Sequence, residues 1–238
     1  AMSDISPAWT MVGLDLLMIT YTLWAISAFK PIGKTGALIA AAMLAWLAAL
    51  HALLSHERLF SADISGLAFL IAIVAGVGLT GALLFLAPPV RRLLLNLDQR
   101  QLMLLQGVRV FFGAAFLVQA SLGPLPQAFG IVDGFTHIGA GFFGLVAAFS
   151  VAAGVEGRRR AWFANLFGLA DILIVATSLA FILLPEIGPH HSMMYAVFLP
   201  APLWLWFHLI SIWKLLRDDG IEPHGQHAMA GQTTIASC

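Results

Sequence analysis

Residues 65–92 read SGLAFLIAIVAGVGLTGALLFLAPPVRR. No charged side chain interrupts the run from 65 to 87, and its length suits the roughly 20 apolar residues that a helix needs to cross a bilayer core. Pro88-Pro89 closes the run, because proline removes an N–H donor and clashes with the preceding turn. Arg91 and Arg92 follow at once. Apolar runs of this kind recur along the chain, at about 8–29, 35–54, 65–87, 102–121, 130–154, 161–184 and 192–215.

The expected fold is therefore all-α: a polytopic membrane bundle of seven transmembrane helices over residues 1–217, with a polar cytoplasmic tail over 218–238. Composition agrees. The chain is 60% hydrophobic and 10% charged, with a mean hydropathy of +0.91, where a soluble domain carries about a quarter charged residues. Turn chemistry separates the spans at Pro31-Ile32-Gly33, Gly123-Pro124-Leu125-Pro126 and Gly188-Pro189. The first span, from Trp9, has no basic segment before it and is too long for a signal-peptide core, so it reads as a retained helix. Val90 to Leu105 mixes Arg91, Arg92, Asp98 and Arg100 with leucines and reads as an interfacial start to the fourth span. Trp9, Trp24, Trp46, Trp162 and Trp213 fall near span ends, as an aromatic belt does. The glycines of the fifth span, Gly134, Gly139, Gly141 and Gly144, read as close helix packing.

The charges set an orientation. Lys30, Lys34, Arg91, Arg92, Arg100, Arg158, Arg159, Arg160, Lys214 and Arg217 fall in connections on one face, and Arg58 alone falls on the other. Short loops rich in Lys and Arg stay in the cytoplasm. The expected topology is N-out and C-in, multi-pass, in a bacterial inner membrane. The lipid bilayer is the first partner. Other membrane subunits could dock through helix faces or the C-terminal tail. A formal net charge of zero gives no case for nucleic acid, and a single cysteine, Cys238, excludes a disulfide framework or a CxxC motif.

An ionisable group at membrane depth is costly and usually faces the bundle interior. On a scale of about 1.5 Å per residue, the candidates form two layers. The inner layer holds Arg109, Asp171 and His208, with Gln106 one turn before Arg109. Asp171 is the one carboxylate at the right depth, so an Arg109–Asp171 pair is expected, with His208 beside it as a group able to accept a proton. The outer layer holds Asp15, His51, Asp133 and His137. Asp133 and His137 are spaced i, i+4 and share a helix face. These four are expected to converge on one periplasm-facing cavity. Trp204 and Trp206, which flank Pro202 and His208, are read first as packing and second as the lining of a pocket.

Metal or haem chemistry has candidates too. His51 and His137 lie at similar depth, as axial haem ligands or as metal ligands with Asp15 and Asp133. His190 and His191, followed by Ser192-Met193-Met194, offer imidazole and thioether ligands of the kind copper takes. Haem, copper and zinc all stay open as cofactors. No lysine lies mid-helix in the last span, so retinal has no attachment point. No GxSxG, HExxH or Walker-type loop is present, so the sequence names no reaction.

From Gln106 onward the chain resembles a broad group of small, uncharacterised bacterial inner-membrane proteins. The resemblance is carried by R-x-x-x-G-x-x-F-L at Arg109 to Leu117, G-x-L-P-x-x-F at Gly123 to Phe129, N-x-x-G-L-x-D at Asn165 to Asp171 and H-x-x-S at His208 to Ser211. That group often has an acid where this chain has Thr136-His137. The resemblance implies a membrane fold and shared roles for Arg109, Asp171 and His208, and brings no activity with it. Three functions stay in view. The first is a binding or transport module with a polar intramembrane cavity for a small molecule, ion or proton. The others are a structural or assembly subunit of a larger membrane complex, and a metal- or haem-binding protein with a periplasm-facing His/Asp site.

Overall fold

The computed structural model describes residues 7–28 and 31–217. Lys30, the tail from 218 and Cys238 lie outside the described residues. The described elements are all helical: α1 (Pro7–Ser27), α2 (Gly33–Ser55), α3 (Gly66–Leu86), α4 (Pro88–Asn96), α5 (Gln99–Leu104), α6 (Arg109–Leu122), α7 (Gln127–Ser150), α8 (Val155–Ser178), α9 (Leu184–Ile187), α10 (Met194–Phe198) and α11 (Pro200–Leu216). Six helical stretches are long and apolar enough to cross a membrane: α1, α2, α3, α5–α6, α7 with its 3-10 end, and α8 through α9.

The seventh expected span, 192–215, is broken in two. Pro200 disfavours helical geometry in the residue before it, and Leu199 sits at φ −123°, ψ −70°. The 17 residues of α11 rise about 25 Å. Pro202 has no N–H to offer the Phe198 carbonyl four residues back, and the Trp46 indole N–H donates to that carbonyl at 2.7 Å instead. Trp46 is thus more than an interfacial anchor, since it closes the break.

Two helix starts differ from the expected ones and matter for the site. Asp98 caps α5 through a reciprocal pair of bonds with Gln101, its carboxylate accepting from the Gln101 N–H at 2.7 Å. The helix therefore begins at Gln99 rather than 102. Gly154, at φ +59°, ψ −122°, reverses the chain after α7 in a conformation that glycine reaches without a Cβ penalty. α8 then begins at Val155 rather than 161, which sets Asp171 about 24 Å along its helix.

Packing is tightest between α6 and α7. A Cβ placed on Gly113 would lie 2.4 Å from the Gly134 carbonyl. α7 packs in turn on α8, and α11 lies against α8, α3 and α5. At the α5–α6 junction the backbone tightens to i→i−3 bonds, Gly107 N–H to Leu104 O at 2.8 Å and Arg109 N–H to Gln106 O at 3.1 Å. Tyr21 ties α1 to this turn by donating to the Leu104 carbonyl at 2.7 Å. Both Gln106 and Arg109 are fully buried at this junction.

Candidate functional site

Arg109 opens α6 with no exposure to solvent. Its guanidinium cannot shed its proton, so it must be paired where it lies. One terminal nitrogen donates to Asp171 Oδ2 on α8. The other lies 3.1 Å from His208 Nε2 on α11 and 3.5 Å from Gln106 Oε1. The guanidinium carbon stands 5.1 Å from the Trp204 ring centroid, within cation–π range.

The pairing dictates the rest. Arginine only donates, so His208 must turn the lone pair of Nε2 toward it, and Nδ1–H then donates to Asn165 Oδ1 at 2.9 Å. With that lone pair engaged, His208 is held as an acceptor for Arg109 rather than as a free proton acceptor. Asn165 passes the chain on, its amide donating to Ser211 Oγ at 2.7 Å and to the Ala161 carbonyl at 2.9 Å. The Gln99 amide also donates to Ser211 Oγ. Gly168 makes room for this crossing of α8 and α11: a Cβ there would lie 2.2 Å from His208 Nε2 and 3.2 Å from the Arg109 guanidinium.

On the other side of Asp171 stands His137. Its Nδ1 lies 2.8 Å from Asp133 Oδ1 and 3.3 Å from Asp171 Oδ2. Both oxygens sit off the hydrogen-bonding direction of the ring nitrogen. His137 Nδ1, both oxygens of Asp133 and Asp171 Oδ1 therefore end without a hydrogen-bond partner, although all are buried. One ligand-type atom from each of Asp133, His137 and Asp171 falls within 4.8 Å of the others. The His137 ring is held edge-on by Phe116 and Trp204, with centroids at 5.3 and 5.7 Å. A cavity of about 50 Å³ lies beside it, walled by Asp133, His137, Phe116, Trp204 and Met193 and otherwise by aliphatic side chains.

The two expected layers are thus one file of side chains: Gln99, Ser211, Asn165, His208, Arg109, Asp171, His137 and Asp133. The early start of α8 is the reason, since it carries Asp171 deep enough to reach His137. The outer four residues divide into two groups. Asp133 and His137 join Asp171. Asp15 is fully buried with neither oxygen partnered. His51 Nδ1 lies 2.6 Å from the Tyr195 hydroxyl, and its ring packs 5.1 Å from that of Trp9.

Of the four histidines expected as metal ligands, His137 alone joins a group of three ligand-type side chains among the described residues. His190 Nε2 accepts from the Phe60 N–H at 3.3 Å. Both nitrogens of His191 are buried without a partner. Burial, with His190 alongside, pushes its imidazole down to about 3, so it stays neutral. His51 and His137 hold different partners, the Tyr195 hydroxyl and Asp133, and the cavity beside His137 measures about 50 Å³.

Sequence reasoning missed Asn165, Ser211 and Gln99 as members of the file, which Trp204 packs against. A signal was present for two of them, because His208 and Ser211 are one turn apart on a single face and Asn165 opens the motif that ends in Asp171. The sequence profile of a domain of unknown function, DUF8737, matches residues 64–216. Comparison with curated proteins finds no match, and neither does comparison with solved structures.

Proposed function

The chain belongs to the DUF8737 family, and from its own geometry we propose that it is a membrane-embedded binding or transport module for a small solute or ion. The single observation that carries this is the set of buried, unpartnered ligand-type atoms of Asp133, His137 and Asp171 beside a cavity. An inert polar core would satisfy its own groups. Here the half from Arg109 to Gln99 is hydrogen-bonded from member to member, with Arg109 Nε and Gln99 Oε1 left over, and we read it as a closed plug, while Asp171, His137 and Asp133 meet by charge with no hydrogen bond between them.

The reading carries a topology: a bacterial inner-membrane protein of seven spans, N-out and C-in, with α10 and α11 together as the broken seventh. The support is the placement of Lys34, Arg91, Arg92, Arg158, Arg159 and Arg160 at one set of helix ends. Ligand then enters from the face opposite the basic loops, or laterally past the half-exposed Ile73, Val77, Ile172 and Val175. Reporter fusions at Lys34, Arg92 and Arg159 are expected to read as cytoplasmic, and a periplasmic signal at two of them would overturn the topology. In a Cys238→Ser background, Ala176→Cys and Ala201→Cys line the cavity and are expected to react with a small thiol reagent. Ser211→Cys, inside the plug, is expected to stay unreacted. Equal reaction at Ser211 would mean that the plug is open and the reading wrong.

A further inference from the structure

We propose that Asp133, His137 and Asp171 bind a divalent first-row transition metal ion, zinc in class, with one coordination position left open to the adjoining cavity. This rests on the binding-module reading and names its ligand.

The donor set comes first. One imidazole nitrogen and two carboxylates, presented by α7 and α8, are ligands that zinc, manganese and ferrous iron take, and Met193 brings a thioether to the lining of the same cavity. The hydrogen bonding comes second. A histidine serving only as a partner for these acids would point its N–H at one of them. Nδ1 instead stands between the two carboxylates, close to both and aligned with neither. That is where an ion, rather than a proton, would bring three donors together. Asp171 divides its labour accordingly: Oδ2 takes the Arg109 donor, and Oδ1 is left free.

The surroundings are those of a supported site. Ligating carboxylates are normally held by outer hydrogen bonds that fix their orientation. Arg109 does this for Asp171. Phe116 and Trp204 fix the imidazole plane. Charge supplies the last argument. Counted with the imidazole neutral, as a metal ligand must be, two carboxylates and one guanidinium sum to −1. A divalent ion makes the sum +1, and an anionic fourth ligand such as hydroxide restores neutrality inside the membrane. The 50 Å³ cavity at His137 and Asp133 has room for that ligand, since a water needs about 10–15 Å³.

The test uses the full-length chain purified in detergent. Metal content is measured after expression with added zinc. Zn²⁺ affinity is then measured by competition with a chromophoric chelator, and Co²⁺ is added to stripped protein as a spectroscopic probe. One metal per chain is expected, with a Co²⁺ ligand-field spectrum of nitrogen and oxygen ligands. Asp133→Asn and His137→Gln should abolish stoichiometric binding, and His51→Gln and His191→Gln should leave it intact. Folded wild-type protein that takes up neither Zn²⁺ nor Co²⁺ overturns the proposal, as does binding that survives His137→Gln and is lost in His51→Gln or His191→Gln. If the His137 or Asp133 variants fail to fold, the wild-type Co²⁺ spectrum decides, and its absence, or sulfur ligation in it, counts against the site. Chelator-treated protein that still labels at Ala176→Cys but not at Ser211→Cys, and takes up no metal, keeps the module and removes the metal. Protein that fails both loses both.

Discussion

Helices α6 and α7 meet through glycine, whereas α3 carries Gly78 on a face that nothing among the described residues covers. At Gly113 an added Cβ would strike the Gly134 backbone, and at Gly134 it would strike Leu117. At Gly78 on α3 it would meet nothing within 4 Å. Leu67, Val74 and Leu83 on α3 are more than 60% exposed, while Arg109, Phe112 and Phe116 on α6 are fully buried. Apolar contact gives little drive to helix association in lipid, where tails are as apolar as leucine. Close backbone approach and interhelical hydrogen bonds do that work. The contrast teaches which part of the molecule is built for specificity. Helices α5, α6, α7, α8 and α11 hold the polar file, and α3 presents an apolar wall on its outer side.

The largest effect should come from breaking the file at its only fixed charge. Asp171→Asn leaves the Arg109 guanidinium buried without its carboxylate, which costs about 3–5 kcal/mol and should appear as lost yield and a lower melting temperature. Adding Arg109→Gln removes the stranded charge and is expected to recover part of that loss. Simple additivity in the double variant would mean that Arg109 depends on other groups. Next in size is Gly168→Ala. Its methyl would collide with the His208 ring, and overpacking of this kind costs about 1–3 kcal/mol. A melting temperature equal to wild type would show that α8 and α11 have slack at their crossing.

How much of this was legible in the sequence follows from what each feature costs. The helical class could be read because uninterrupted apolar runs such as 65–87 have few other uses. Arg109 and Asp171 stood out because charges at such depth are rare and each demands a partner. The link from Asp171 to His137 was hidden by a boundary. Arg158, Arg159 and Arg160 look like a loop, but Gly154 makes the turn and the arginines ride the first turns of α8. Starting that helix six residues late misplaces Asp171 by about 9 Å. Asn165, Ser211 and Gln99 were passed over because neutral polar residues carry no such cost signal. Their value comes from mutual geometry, which only the packing of α5, α8 and α11 reveals.

The smallest expected effect sharpens the comparison from the α3 side. Ala75, Gly78 and Ala82 share one exposed face, and small residues four apart, as at 78 and 82, are what paired helices use to approach in lipid. If lipid covers this face, Gly78→Leu merely adds a side chain among acyl tails. Melting should then stay within about 0.5 kcal/mol of wild type, and Gly78→Ala should match it or gain slightly from helix propensity. If a helix of another membrane subunit, or of a second copy, packs here, leucine at 78 would wedge the pair apart. The protein would then elute at a smaller size from a gentle detergent. We expect unchanged elution for both variants. That outcome leaves α3 as a lipid-facing wall and places the specificity of the molecule in the polar file, whereas a shift in size for Gly78→Leu alone would make α3 an assembly surface and favour a subunit role for the chain.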